Sequence, residues 1–321
     1  VQLLLKQDVL AEHLERLGGI RDDVVQPVAP SAEPYGYAHH MTFSPLPAGG
    51  FALPDMNDQL VPIQVCHLLH PDLLDLYQRL DMALPNLKRL KLQMGSAGEQ
   101  MIILYMAEED APELKTDLDA SINLLLPDNE PMNLVGESHV RYHVHGRTFR
   151  VTAGSYYRAN AGFVPALVDS VLKMLAPQPD EYVLDLYAGV GVFGAFIAQK
   201  AKLVTLVESY PPAATDAETN LGDLDNVDVI EGTVEEALSV LDGAYDAAVI
   251  DPSAALSEDA LASIVEMGVK RLVYVSGDSA TLARDAKRLV KRGYRLAQAQ
   301  PFDFAPQTYH VETVALFTRT G

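Results

Sequence analysis

The chain has 321 residues, with 24 Lys and Arg against 44 Asp and Glu for a formal net charge of −20, a 48% hydrophobic fraction and one cysteine. That length suits about two domains of ordinary size, and the apolar content excludes a disordered or collagen-like chain. The lone Cys66 excludes an intrachain disulfide and an all-cysteine metal site built from this chain, and makes a reducing, cytoplasmic setting the expectation.

No apolar run approaches the roughly 18 residues of a membrane span, so no membrane partner is expected. Residues 1–150 and 151–321 each carry a formal charge of −10. An RNA partner must therefore be met by a local basic patch, and DNA is not expected. The chain begins with Val1 and not Met, which makes a piece of a longer product the expectation.

In chain order, LLLKQDVLAEHLERL (3–17) has apolar residues at helical spacing, stopped by Gly18-Gly19. With the residues up to 28 it forms an N-terminal helical segment. The Pro-rich passage Pro27 to Pro34 reads as a linker. Residues 29–150 read as a smaller α+β central domain with an antiparallel sheet. Its strands are HHMTFS, LKRLKLQM, EQMIILYMA, ASINLLLP and the pair VRYHV/RTFRV, with one helix, PDLLDLYQRLDMAL (71–84). Residues 151–321 alternate strands with helices of 10–15 residues. They predict an α/β domain, doubly wound around a parallel sheet.

The strongest chemical signal lies at a strand-to-helix turn, DLYAGVGVFG (185–194), followed by Glu208 at the end of the next strand. Gly189, Gly191 and Gly194 satisfy G-x-G-x-x-G, so the backbone can approach a ligand closely and an acid one strand over can take ribose hydroxyls. A dinucleotide such as NAD fits this pattern, as in an oxidoreductase. S-adenosylmethionine fits better: Asp185, inside the strand, can meet a cationic amine, and a further acid, Asp251, ends the fourth strand before Pro252. The third reading is a glycine turn needed only for helix packing.

Together DLYAGVGVFG, Glu208, VIDPS, LVYVSGDSATLARD and QTYHVETVALF resemble the RNA 5-methyluridine methyltransferases, which methylate carbon 5 of uracil in transfer and ribosomal RNA. VQLLLKQDVLAEHLERLGG, PYGYAHHMTFS and VPIQVCHLLHP extend the resemblance over nearly the whole chain. It implies a central RNA-binding-like domain, a Rossmann-like class I methyltransferase domain and S-adenosylmethionine as donor, held by Asp185, Tyr187, Gly189, Gly191, Glu208, Asp251 and the residue at Arg158. In the family a cysteine thiolate adds to carbon 6, the enolate takes the methyl group, and a base removes the carbon 5 proton.

The family's base, the Glu of H-x-E, matches Glu312 in His310-Val311-Glu312, and Asp251 keeps the acid expected near the target base. The nucleophile is missing: Ser276-Gly277-Asp278 puts glycine where the family has cysteine. The family's D-P-P-R becomes Asp251-Pro252-Ser253-Ala254, which loses an arginine. In F-x-Q-x-N, Tyr156-Tyr157-Arg158-Ala159-Asn160 puts Arg158 in place of Gln, unfavourable beside a sulfonium. The expectation is a family member impaired or inactive at carbon 5. Its alternatives are a non-catalytic donor- and RNA-binding paralogue or a methyltransferase that needs no thiol.

Cys66 resembles the fourth ligand of the family's iron–sulfur cluster, whose other three cysteines would precede this helix. Without them no cluster can be assembled from the residues present, and Cys66 reads as a small buried hydrophobe. Cys66, His67 and His70 lack a fourth zinc ligand. Two stretches could face RNA: Arg284, Lys287, Arg288, Lys291, Arg292 and Arg295 near a helix C-terminus, and Arg141, Tyr142, His143, His145, Arg147, Phe149 and Arg150 around a hairpin. A solvated helix face and ordinary strand alternation explain them equally well.

Overall fold

The computed structural model describes residues 1–21, 23–82, 84–109 and 117–320. Contacts divide the chain into two compact units, Val1–Ala32 with Phe163–Gly321, and Glu33–Gly162. The N-terminal helix α1 (Gln2–His13) continues into a π-helical turn at Leu14–Gly18 and stops at Gly19, whose φ of +71° suits a residue without a side chain. Leu10 and Leu14 are buried in one core with Leu282, Ala283, Ala286 and Leu289, so this helix is built into the larger unit. The expected linker is partly ordered. Val25 and Ala29 bridge in parallel to Ala299 and Phe302, covering an edge strand that would otherwise present unpaired backbone groups.

In the unit 33–162, seven strands form one sheet in the order β3-β2-β1-β4-β5-β6-β7. They are β1 (His40–Pro45), β2 (Phe51–Pro54), β3 (Leu60–Pro62), β4 (Leu87–Met94), β5 (Gln100–Met106), β6 (Ser121–Leu125) and β7 (Pro131–Val135). The expectation of an antiparallel sheet fails at one place, since β5 and β6 pair in parallel. The sequence reading also misses β2, β3 and β7, which are short and contain proline. The helix α2 (Pro71–Gln78) covers one face through Leu73, Leu76 and Tyr77; it ends before the expected 84 because Leu80 N–H bonds the carbonyl of Tyr77 and tightens the last turn. β8 (His139–Val144) and β9 (Arg147–Thr152) form a separate hairpin. This unit runs on past the expected boundary at 150, because the Tyr157 ring stacks on Tyr142 at 3.9 Å.

The remaining elements are α3 (Val164–Leu175), β10 (Tyr182–Leu186), α4 (Val192–Ile197), β11 (Leu203–Glu208), α5 (Pro211–Leu221), β12 (Val227–Glu231), α6 (Val234–Val240), β13 (Ala247–Ile250), α7 (Glu258–Glu266), β14 (Arg271–Ser276), α8 (Ser279–Lys291), β15 (Tyr294–Phe302) and β16 (Glu312–Arg319). Their sheet runs β12-β11-β10-β13-β14-β16-β15. The first five strands are parallel, and β16 is inserted antiparallel between β14 and β15. A dinucleotide fold keeps six parallel strands in the order 3-2-1-4-5-6; the inserted strand makes this sheet that of a class I methyltransferase. α6, α7 and α8 bury Leu238, Leu261 and Leu289 with Leu184, Leu186, Ile250 and Tyr274 on one face. α3, α4 and α5 follow one another on the other.

Candidate functional site

Leu186 is level with Val207 and with Ile250, and Ile250 with Tyr274. The residues just beyond these strand ends, Tyr187, Glu208, Asp251 and Gly277, therefore share the carboxyl edge of the sheet. β16 runs the other way, and Thr313 is level with Ser276, so Glu312 enters the sheet at the same edge. The strand order reverses between β10 and β13, where open α/β sheets leave a crevice for ligands. Topology thus brings together Asp185, Tyr187, Gly189, Gly191, Glu208, Asp251, Gly277 and Glu312. Arg158 and Cys66 belong to the other unit.

The turn after β10 needs its glycines for different reasons. Tyr187 already sits at φ +60°, a conformation costly for a side-chain-bearing residue, and Gly189 follows at φ +56° with nothing within 4 Å of where a Cβ would stand. Gly191, at φ +83°, would drive a Cβ to 2.5 Å from Leu221. Gly189 leaves room for a ligand, Gly191 lets α5 pack close to the turn, and Gly194 lets α4 approach the sheet at Leu206. Asn220 donates to the carbonyl of Val190 at 3.0 Å and pins the turn to α5.

The two acids of the turn have distinct tasks. Glu208 accepts the Gly189 N–H at 2.8 Å on one oxygen and the Tyr210 N–H at 2.7 Å on the other, so it ties the glycine turn to the start of α5 and keeps lone pairs to spare. Asp185 is fully buried; one oxygen accepts the Gly194 N–H at 2.7 Å, and the other has no hydrogen-bond partner among the described residues. Burial raises its pKa well above the usual carboxylate range, against the Gly194 hydrogen bond and with help from Asp251 and Glu208. Burial and the charges of Glu235 and Asp285 push the Tyr187 phenol up to about 12, which keeps it a hydrogen-bond donor.

Gly277 has no left-handed backbone, and a Cβ built there would stand 3.4 Å from Glu312 Oε2, at the near edge of van der Waals contact. A side chain at 277 would therefore point at the carboxylate without backbone strain.

Two clamps that sequence reasoning missed hold the loops of this edge. Lys6 Nζ, buried, donates to Asp303 Oδ1 at 2.5 Å and to the carbonyls of Ala305 at 3.0 Å and His310 at 2.8 Å, fastening the segment that leads to Glu312. Asp285 accepts the Leu256 N–H at 2.9 Å and the Tyr274 hydroxyl at 2.9 Å, while Arg288 donates to the Leu256 carbonyl at 2.6 Å. This second clamp holds the far end of the loop that begins at Asp251. Neither clamp carries a local signal, because each joins residues far apart in the chain.

The expected RNA-facing stretches change meaning. Tyr142 and Phe149 are fully buried, so the hairpin's aromatics are core, while its cations and histidines alternate outward with Thr148. On α8, Arg288 and Arg292 both pair with Glu258, which makes that stretch in part an ion-paired helix face. Cys66 packs half-buried against the core of its unit. Among the described residues no group of three or more His, Cys, Asp or Glu could hold a metal ion, and no helix is long and apolar enough to cross a membrane. A cleft of about 390 Å³ beside Leu46, Phe51, Met82 and Leu87 has apolar walls without groups for chemistry.

No family model matches the chain. It is 31% identical to the 23S rRNA (uracil(1939)-C(5))-methyltransferase RlmD of Pseudomonas fluorescens strain Pf-5, over 98% of this chain and 75% of that protein. An uncharacterized RNA methyltransferase of Thermotoga maritima is 34% identical over 58% of this chain and 43% of its own length. Among solved structures, the tRNA (uracil-54, C5)-methyltransferase of Pyrococcus abyssi in complex with S-adenosyl-L-homocysteine superposes with a TM-score of 0.75 at 21% identity, covering 98% of this chain and 83% of that one. With the class I strand order, the glycine turn and the acids on one sheet edge, this similarity over nearly its full length makes the chain a member of the RNA uracil-C5 methyltransferase family.

Proposed function

We propose that this chain binds S-adenosylmethionine at the Gly189–Gly191 turn, accepts RNA as its macromolecular partner, and does not methylate carbon 5 of uridine by a covalent route. RNA is supported by the relatives, which are named for ribosomal and transfer RNA. The donor reading is supported by the fit of the residues. Gly189 leaves open space, Glu208 keeps lone pairs for ribose hydroxyls, and the unpartnered oxygen of Asp185 suits an ammonium group. When bound, the donor supplies an electrophilic methyl group. Asp251 and Glu312 are the proton-handling groups of the edge.

The observation that carries the third part is Gly277. The position facing Glu312 has no side chain, so nothing there can add to carbon 6 of a pyrimidine. Loss of a nucleophile costs about a million-fold in turnover in a well-studied protease, which sets the scale. A second reading, transfer to a ring nitrogen without a thiol, is favoured by the retention of Glu312 beside that open position: a carboxylate there can take a proton from a ring N–H.

Titration with S-adenosylmethionine and with NAD tests the donor reading, and tight NAD binding without donor binding would sink it. With an RNA containing 5-fluorouridine the chain should form no covalent adduct, and an adduct would overturn the argument from Gly277. Gly277→Cys, alone or with Ala254→Arg and Arg158→Gln, should make adduct formation detectable on a denaturing gel.

A further inference from the structure

The segment that leads into Glu312 is held from the inside and shows an aromatic ring to the outside. Lys6 fastens it at Asp303, Ala305 and His310. Thr308 Oγ1 donates to the Ala305 carbonyl at 2.7 Å and accepts the His310 N–H at 3.2 Å, and the Gln307 side chain accepts from Gln2 at 3.0 Å. On this fastened loop Tyr309 is 78% exposed, with its ring 4.2 Å from the His310 imidazole and tilted by 32°. It stands three residues before Glu312, at the entry to the carboxyl edge. A large ring in water at that place does not serve the core, and a ring already ordered by its loop loses little entropy when a flat ligand covers it.

We propose that Tyr309 is a specificity-determining residue that stacks on the nucleobase next to the nucleotide presented to Glu312, and so selects single-stranded RNA over duplex. The inference rests on RNA being the partner. The charge of −20 strengthens the case for stacking as the means of contact. Attraction to phosphates is weak on such a chain, whereas every base offers a face to an aromatic ring whatever the net charge.

The absence of tryptophan from the chain provides the test. Tyr309→Trp places the chain's single indole on the loop, excited at a wavelength its tyrosines do not absorb. Val240→Trp places one at the last residue of α6, 76% exposed at the opposite, amino edge of the sheet. The probes are an RNA stem–loop with a uridine-containing single-stranded loop and the same sequence closed into a duplex. The stem–loop should quench the indole of the Tyr309→Trp variant but not that of the Val240→Trp variant, and the duplex should quench neither. Tyr309→Ala should weaken stem–loop binding by roughly 5- to 100-fold, by the same factor at 50 and 200 mM salt, and Tyr309→Phe should leave it unchanged. Three outcomes each overturn the inference: equal affinity of parent and Tyr309→Ala without quenching in Tyr309→Trp, quenching by duplex as strong as by stem–loop, or no RNA binding by the parent chain. Only the last also removes the RNA reading, and donor titration decides the S-adenosylmethionine reading separately.

Discussion

At Asp185 one carboxylate serves a hydrogen bond and stores a charge that the fold alone does not satisfy. Its oxygen facing α4 holds the Gly194 amide, and the other has no hydrogen-bond partner among the described residues. The sign of the consequence follows from the raised pKa. A folded-state pKa above the unfolded value means the native chain binds the extra proton, so this group's contribution is favourable below about pH 4 and is lost as pH rises through the folded value. Asp185→Asn keeps an acceptor for Gly194 and removes the charge. It should remove this loss of stability as pH rises above about 4 in urea unfolding, and weaken donor binding by about 2 kcal/mol or more in calorimetry. Donor affinity of the parent should rise with pH as Asp185 ionises, because the ammonium needs the ionised acid. Asp185, Gly189, Gly191 and Glu208 were all legible in the sequence, since a strand, a glycine turn and an acid one strand later lie within about 24 residues. That Glu208 accepts the Gly189 N–H on one oxygen and the Tyr210 N–H on the other was not, because a spacing does not say which way a carboxylate turns.

At the scale of elements, α1 is readable as a helix from its apolar spacing but not as a brace. One face packs Leu10 and Leu14 on α8, and Lys6, charged and placed among leucines, reaches the loop before β16. His13 Nδ1 lies 2.8 Å from Ser279 Oγ at the start of α8, so the same helix touches the loops on either side of the Gly277–Glu312 pair. Lys6→Met leaves the buried Asp303 without its cation and should lower stability by about 3 kcal/mol. It should also raise amide exchange across residues 303–311 more than in the core strands. Pairing it with Asp303→Leu should recover most of the loss, and no recovery would show that the ion pair is not what holds the loop.

At the scale of the whole molecule, a buried titratable group in each unit responds to acid in the opposite sense. In the unit 33–162, half-buried His40 donates through Nε2 to the Tyr157 carbonyl at 2.7 Å. Its pKa is pushed down to about 3 by burial and by the neighbouring Lys91, itself lowered to about 8 by burial. A histidine depressed in the fold contributes stability that is present above its unfolded value of about 6.5 and is lost as pH falls toward 3. By pH 5 this amounts to about 1–2 kcal/mol, while Asp185 in the larger unit works the other way. Hydrogen exchange at pH 7 and pH 5, corrected for intrinsic rates, should show β1 and β4 losing protection ahead of β10 and β13. His40→Gln, which can still donate to Tyr157 but does not titrate, should reduce that difference, with the depressed His39 and His139 left to account for the remainder.

The sequence by itself determined the alternation of strands and helices after residue 160, the glycine turn with its two acids, and the glycine at 277. These are local patterns of a few residues, and a missing thiol is a covalent fact that no packing can reverse. Only the tertiary structure decided that β16 enters antiparallel and places Glu312 opposite Gly277, that Lys6 finds partners 297 to 304 residues away, that Tyr142 and Phe149 face the core, and that Tyr309 faces water. Those outcomes depend on which distant segments pair, and the free energy of pairing is shared among many contacts that leave no period or spacing in the chain.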